Sequence, residues 1–259
     1  MLRGERFTEA GKCPYTMLMA HPPKPLPSLS IFFPCCNDAG TIGSLVLLAL
    51  TTAETLTDDY EVIVVDDFSA DRSRAILEEL AGRFPKLRLV FHDFNRGYGG
   101  ALKSGFAAAE KEFIFYTDGD SQYDVAELPL LAERMGEGVD VVNGYKLNRA
   151  DPWFRRLVGF GYNLAARRLF GLAVRDVDCD YRLLRRSVLE KVKLESDTGV
   201  ICVEMMKKIQ DAGLRIEEVP VHHFPRRYGQ SQFFTVPHVA RSVVALGRFW
   251  CRTRKHTPY

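Results

Sequence analysis

The stretch FIFYTDGDSQYD, from Phe113 to Asp124, decides how this chain reads. Its first half is apolar and aromatic, the pattern of a buried β-strand, and Asp118 and Asp120 follow where that strand should end. Alternate residues of extended chain share a face, so Asp118, Asp120 and Gln122 can present three oxygen-bearing side chains to one point. That donor set suits Mg²⁺ or Mn²⁺, which take carboxylate and amide oxygens, often with a substrate phosphate completing the shell. A polar turn that merely ends a strand is the plainer alternative. The surrounding pattern has to choose between them.

Outward from this stretch, short apolar runs alternate with helical patterns. The β-type runs are 29–33, 61–65, 87–91, 113–117 and about 139–142, with helices expected from about Thr41, Asp71 and Gly99. Strands apolar on both faces, alternating with helices, predict an α/β fold with a mostly parallel central sheet flanked by helices. Ser69 or Asp71 is placed to cap the second helix, and Asp124 with Glu127 resembles a capping box before a helix through Met135.

In open α/β sheets, ligands bind outside the carboxyl ends of the strands. Those ends carry Pro34, Cys36, Asn37 and Asp38; then Asp66 and Asp67; then Asn95, Arg96, Gly97 and Gly99; then Asp118 and Asp120. One Asp pair after a strand is ordinary capping chemistry. Four successive strand ends that send acid, amide or glycine into one crevice point instead to a ligand. The run Arg96–Gly100 reads as a tight turn that brings backbone close to a ligand, or as plain helix entry. It is not a G-x-G-x-x-G turn after the first strand, which disfavours a dinucleotide-dependent oxidoreductase.

The 259 residues are 46% hydrophobic and 26% charged, an ordinary globular composition. The formal charge of +2 is too near balance to imply a nucleic-acid partner. Six cysteines without a C-x-x-C pair fit a reduced, cytoplasmic protein. No apolar stretch reaches the length of about 18 residues expected of a membrane span, and Arg3, Glu5, Arg6 and Glu9 leave no signal-peptide core. Residues 1–28, ending in a proline-rich run, are expected to be extended or disordered. The folded domain is expected over 29–232, with a C-terminal helix and tail over 233–259.

With these residues in view, PCCNDAGTI (34–42), VVDDFSAD (64–71), NRGYGGALKSG (95–105) and TDGDSQYD (117–124) resemble the successive motifs of inverting family 2 glycosyltransferases with the GT-A fold. The branch most resembled is the dolichol-phosphate mannose synthase-like group of polyprenyl-phosphate glycosyltransferases. VDCDYRLLRR (177–186), EEVPVHH (217–223) and RRYGQSQF (226–233) are similar to its distal motifs. The resemblance implies that Pro34, Cys36, Asp38 and Asp118 line a nucleotide pocket and that Asp66 or Asp67 reads the base or ribose. It implies that Asp118, Asp120 and Gln122 hold the metal on a nucleotide-sugar donor. The family commonly has Tyr, Glu and Gly where this chain has Cys36, Asp38 and Phe68, which leaves the donor base open.

Beyond the nucleotide half, Lys146, Arg149, Arg155 and Arg156 form a basic cluster, either a solvated face or a grip on phosphate. By resemblance, Lys146, Arg155 or Arg156, and Arg226 are the acceptor-phosphate residues. A phosphate acceptor is already anionic near neutral pH and needs no general base. Asp120 and Arg226 are then the expected catalytic residues, with Arg226 or Arg227 sharing the charge on the leaving group. Asp176, Asp178 and Asp180 read as alternating acids of a short strand, facing solvent or paired with Arg175 and Arg182, or with Asp178 as base for a hydroxyl acceptor. Glu204 is placed to reach the sugar or to pair with Lys208, and His222 and His223 read as strand-end residues. Residues 233–250 read as a core helix or as one lying at a membrane surface, a peripheral contact on the cytosolic face.

The expected activity is metal-assisted transfer of a hexose, foremost mannose from GDP-mannose, to a polyprenyl phosphate. Glucose from UDP-glucose, or a hydroxyl acceptor, is the alternative within the same chemistry. A non-catalytic nucleotide-sugar-binding subunit is the alternative of another class.

Overall fold

Strands form where the apolar runs predict them. The computed structural model describes residues 25–147, 153–226, 228 and 236–255, with no account of side chains at 153–155, 236–240, 254 and 255. Strands β1 (Leu29–Cys35), β2 (Tyr60–Asp66) and β4 (Phe113–Thr117) are buried along their whole length. The edge strand β3 (Leu87–Phe91) buries only Leu87 fully. Helices α1 (Ile42–Glu54), α2 (Ser73–Ala81) and α3 (Gly97–Ala108) make the crossovers between these four strands.

The strand order is β3-β2-β1-β4-β6-β5-β7. From β1 the chain steps outward through β2 to β3, then returns to the opposite side of β1 as β4, all in parallel. The order therefore reverses between β1 and β4, and the crevice beyond their carboxyl ends is where such a sheet takes its ligand. The remaining elements are α4 (Leu128–Arg134), β5 (Val141–Leu147), α5 (Trp153–Phe170), β6 (Tyr181–Arg185), α6 (Val188–Lys191), α7 (Ile201–Asp211), β7 (Ile216–His222) and α8 (Val236–Lys255). Only β6 runs against its neighbours β4 and β5.

The pleat divides the core into two layers. Leu29, Ile31 and Phe33 of β1 pack with α1, α2 and α4. Phe32 points the other way, to α3, α5, α7 and α8. There it meets Phe106 edge-on at 4.9 Å and stacks on Tyr116 at 5.4 Å.

Three local expectations change. Asp124 accepts from the Ala126 N–H, as one half of a capping box should. Glu127 does not reach back, because a 3₁₀ turn (Val125–Glu127) precedes α4 and aims its carboxylate at β7, where it accepts from the His222 N–H and the His222 imidazole. Residues Asp176 to Asp180 are not strand: the Asp176 carboxylate accepts from Asp178 N–H in a local turn, which competes with extended pairing. Asp71, not Ser69, serves the start of α2, accepting from Ser73 N–H while its other oxygen accepts from Ala39 N–H. Residues 1–24, with most of the proline-rich run, and 229–235 lie outside the described residues.

Candidate active site

The ends of β1, β2 and β4 turn sharply into loops. Among the described residues the non-glycine positions with left-handed backbone are Asn37 (φ 61°), Phe68 (φ 62°) and Ser121 (φ 57°), one after each of these strands. Such conformations persist where the surroundings over-determine them. Here the loops lock together: Asn37 N–H donates to the Ser69 hydroxyl, and the Asn37 side-chain amide oxygen accepts from Ala70 N–H. The Thr41 hydroxyl at the start of α1 donates to the Gly119 carbonyl at 2.9 Å. A Cβ on Gly119 would stand 2.6 Å from the Pro34 carbonyl, so glycine lets the β1 and β4 ends touch.

Between these loops and the second half of the sheet lies a cavity of about 570 Å³. Pro34, Cys36, Asp38 and Asp67 line its β1–β2 side, and Asp118, Asp120 and Gln122 enter from the β4 end. Lys146, Asp178 and Asp180 line it from β5 and the turn before β6, and Arg226 closes in after β7. Two expected residues stand elsewhere. Asp66 is fully buried beneath the lining, accepting from Ser69 N–H with Arg74 at 3.4 Å. Arg156 is exposed on α5 and does not line the cavity. The side chain of Arg155, and Arg149 and Arg227 entirely, lie outside the described residues.

The acids at the β4 end crowd one another. Burial, then the neighbouring carboxylates of Asp180 and Asp120, push the Asp118 carboxyl well above the usual range. Burial raises Asp120 too, against the opposing pull of Arg226. Asp38 is pushed up to about 6, mainly by burial and with help from Asp120. One cation answers this crowding: Arg226 pairs with Asp120 and lies 3.9 Å from Asp38. Lys146 stands 3.8 Å from Asp176 and 3.9 Å from Asp178, and donates to the Asp178 carbonyl. Gln122 spends its amide N–H on the Phe224 carbonyl. Its amide oxygen points to the same donor chemistry as the two acids.

Among the described residues no three His, Cys, Asp or Glu side chains form a metal site by themselves. Two carboxylates and an amide are a partial oxygen set, the kind that holds Mg²⁺ or Mn²⁺ when a ligand supplies the remaining oxygens. The crowding of Asp38, Asp118 and Asp120, with Arg226 paired to Asp120, fits such an ion.

Other acids near the site are already satisfied. Asp67 accepts from Arg96 N–H (2.7 Å), Gly97 N–H (2.9 Å) and the His92 ring (2.7 Å), so its carboxylate holds the start of α3. Glu204 is buried and accepts from Glu195 N–H, Ser196 N–H and Lys208, anchoring the loop before α7 rather than reaching a sugar. Gly99 admits backbone, but not that of a ligand: a Cβ there would overlap the Ser196 carbonyl, and its N–H donates to Asp197. Asp180 pairs with the fully buried Arg182 at 3.2 Å.

Two site residues had no clear signal in the sequence. The Tyr98 hydroxyl donates to Asp118 at 2.7 Å from inside the glycine-rich run, where an aromatic between glycines was the only hint. Arg241 lines the cavity from α8, and only its interruption of an apolar segment marked it.

With this geometry established, comparison with known proteins gives consistent results. The family described as Glycosyl transferase family 2 matches residues 30–193. Glucosyl-3-phosphoglycerate synthase from Mycobacterium tuberculosis, solved with Mn²⁺, UDP and glucosyl-3-phosphoglycerate, is 20% identical, with a TM-score of 0.67 over 86% of this chain and 80% of that one. The same synthase with Mn²⁺, UDP-glucose and phosphoglyceric acid gives 20% identity and a TM-score of 0.66 over 86% and 79%. A further mycobacterial protein gives 20% and 0.66 over 85% and 74%. At this identity the likeness is one of fold, and the fold is the GT-A arrangement. Among the described residues no helix is long and apolar enough to cross a membrane.

Proposed function

The chain belongs to glycosyl transferase family 2, and from that premise we propose that it transfers a hexose from a nucleoside diphosphate sugar to a phosphate-bearing acceptor, with inversion. One observation carries the reading: a single cavity holds the crowded acids Asp118 and Asp120 together with the cations Lys146, Arg226 and Arg241. Acids facing cations suit a metal-bound diphosphate on one side and a second phosphate on the other.

UDP-glucose is the first donor to test, because the neighbouring synthase structures hold UDP or UDP-glucose. GDP-mannose, favoured by the motif resemblance alone, is the second. Cys36 reinforces the open question: it has no ring to stack on a base, and burial beside Asp67 and Asp38 raises its thiol to about 11, so it acts as a neutral wall. The motif resemblance supports a polyprenyl phosphate as acceptor, whereas the neighbouring synthase holds phosphoglyceric acid. Both present the same phosphate to Lys146 and Arg226.

Asp118, Asp120 and the Gln122 amide oxygen would hold Mg²⁺ or Mn²⁺, which when bound supplies charge neutralisation to the departing diphosphate. Tyr98 keeps Asp118 in place through its hydrogen bond. Arg226, held by Asp120 and near Asp38, is positioned to share the charge of the leaving nucleoside diphosphate. An acceptor phosphate oxygen attacks the anomeric carbon as the bond from that carbon to the diphosphate breaks, and the diphosphate leaves with the electron pair. A phosphate monoester has its second pKa near about 6, so no side chain need remove a proton first. With a hydroxyl acceptor, Asp178, which lines the cavity beside Lys146, would be the base.

The test is release of nucleoside diphosphate from UDP-glucose and from GDP-mannose with Mn²⁺ or Mg²⁺. Each is run alone, with a short polyprenyl phosphate, and with 3-phosphoglycerate. Stimulation by either compound supports a phosphate-bearing acceptor and identifies the donor. With the polyprenyl phosphate the attacking oxygen is the phosphate's, whereas with 3-phosphoglycerate, which also carries a hydroxyl, the linkage in the product shows which oxygen attacked. Donor binding with no stimulated release would leave an acceptor without phosphate or a non-catalytic nucleotide-sugar-binding subunit, and sink the phosphate-bearing acceptor.

A further inference from the structure

Helices α5 and α8 combine two independent features. Neither contains a single Asp or Glu, while α5 carries Arg155, Arg156, Arg167 and Arg168 and α8 carries Arg241, Arg248, Arg252, Arg254 and Lys255. Both also expose large apolar side chains: Leu157 (64%), Phe160 (63%) and Leu169 (49%) on α5, and Val243 (65%) on α8. Val158 and Val244 are exposed beside them.

The two helices meet where Phe170 stacks on Phe249 at 5.1 Å, which fixes the opposite sides of both helices outward. On α8 the packed side carries Phe249, Leu246 and Ala245, and at helical spacing Val243, Val244, Gly247 and Cys251 fall on the other side, flanked by Arg248. The first turns of α8 also give Arg241 and Ser242 to the cavity lining, so this surface and the cavity share an element.

We propose that the outward face of α5 and α8 docks on an anionic lipid bilayer, its apolar side chains entering the headgroup boundary and its arginines meeting lipid phosphates. Charge complementarity selects this occupant. Exposed apolar residues alone would suit a second copy of the chain, but two like-charged, acid-free helices facing their own copies would repel, whereas an anionic surface attracts them. Arg252, drawn to Glu195 at 3.6 Å, contributes least. The inference goes beyond the reaction proposed above and stands whether the acceptor is a lipid or a small phosphate.

The test is co-sedimentation of the full chain with phosphatidylcholine vesicles, with and without phosphatidylglycerol, at low and high salt. Binding to the anionic vesicles should be at least about tenfold tighter and should weaken with salt. Phe160→Glu and Val243→Glu should each weaken it by about tenfold, the loss expected for removing one buried apolar side chain. The urea midpoint, and binding of whichever of UDP or GDP the parent binds, should be unchanged in the same variants, which reports an intact fold and cavity apart from the surface. Equal binding to both vesicle types, no binding, or variants that bind as the parent does would overturn the proposal. Dimerisation of the parent that is lost in the variants would assign the face to a second copy instead.

Discussion

The carboxylates at the end of β2 and those at the end of β4 sit in the same crevice and behave in opposite ways. Asp67 is surrounded by donors: two backbone N–H groups of the α3 start and the His92 ring. Asp118 and Asp120 are surrounded by other acids, with Tyr98 and Arg226 as relief, and burial raises both. A saturated carboxylate holds its own loop, while crowded ones repel one another and would favour a cation between them. Near neutral pH the first stabilises the fold, and the second costs stability that ligand binding can return.

The largest test of this contrast exchanges one crowded acid. Asp120→Asn should lower kcat by about 10²–10³-fold, as for loss of one charge-stabilising group, while the unfolding free energy from urea titration stays within about 1 kcal/mol of the parent. Unfolding of that variant would mean that the β4 acids are structural, and the comparison would collapse. Asp67→Ala should do the reverse. It strands the buried His92 ring and the partly buried N–H groups of Arg96 and Gly97, and should cost about 1–3 kcal/mol of stability by urea titration.

The pH dependence sharpens the same comparison. Asp38, raised to about 6, keeps its proton in the folded chain after the unfolded chain has lost it. Its contribution to stability is therefore full at low pH and is lost as pH rises through about 4 to 6. Glu61 lies far from the cavity and behaves oppositely. Burial raises it, but the Glu110 N–H, the Ser30 hydroxyl and Arg88 outweigh burial and leave it lowered. Its contribution is present above the ordinary glutamate pKa and is lost as pH falls through the lowered value. Asp38→Asn should thus stabilise the unliganded chain at pH 7 and not at pH 4, with the difference read from urea midpoints. A stabilisation of equal size at both would show that Asp38 does not hold its proton.

The smallest effect concerns strain. Phe68 is 55% exposed and left-handed, a conformation that costs an L-residue about 1–2 kcal/mol. Glycine removes most of that cost, less its own entropy. Phe68→Gly should therefore raise stability by about 0.5–1 kcal/mol, and a loss would show that the ring is held by something more than its loop.

The strands of the first half were legible because both faces of β1, β2 and β4 are buried, which leaves unbroken apolar runs such as IFF (31–33) and VIVV (62–65). The acids at their ends were legible because the strand ends themselves were. The antiparallel β6 was harder to read: its buried arginine, Arg182, looks like a surface charge in sequence but is fully enclosed by Asn143, Tyr116, Asp180 and the Val177 carbonyl. The run Arg96–Gly100 was read as a turn bringing backbone close to a ligand or as plain helix entry; it is the entry to α3, and the backbone that Gly97 and Gly99 admit is that of Ser196 and Asp197, nearly a hundred residues on. No local pattern announces a contact of that separation.

What the sequence determined by itself is the α/β alternation and the set of acids at the strand ends, since both follow from periodicity within a few residues. Only the tertiary structure decided which acids are spent and which are available. Asp67 and Glu204 look no different in sequence from Asp38, Asp118 and Asp120. Their roles depend on whether the fold surrounds each with N–H donors or with other carboxylates, and that is set by the packing of α3, the loop before α7 and the turn before β6 around the β1–β4 switch point.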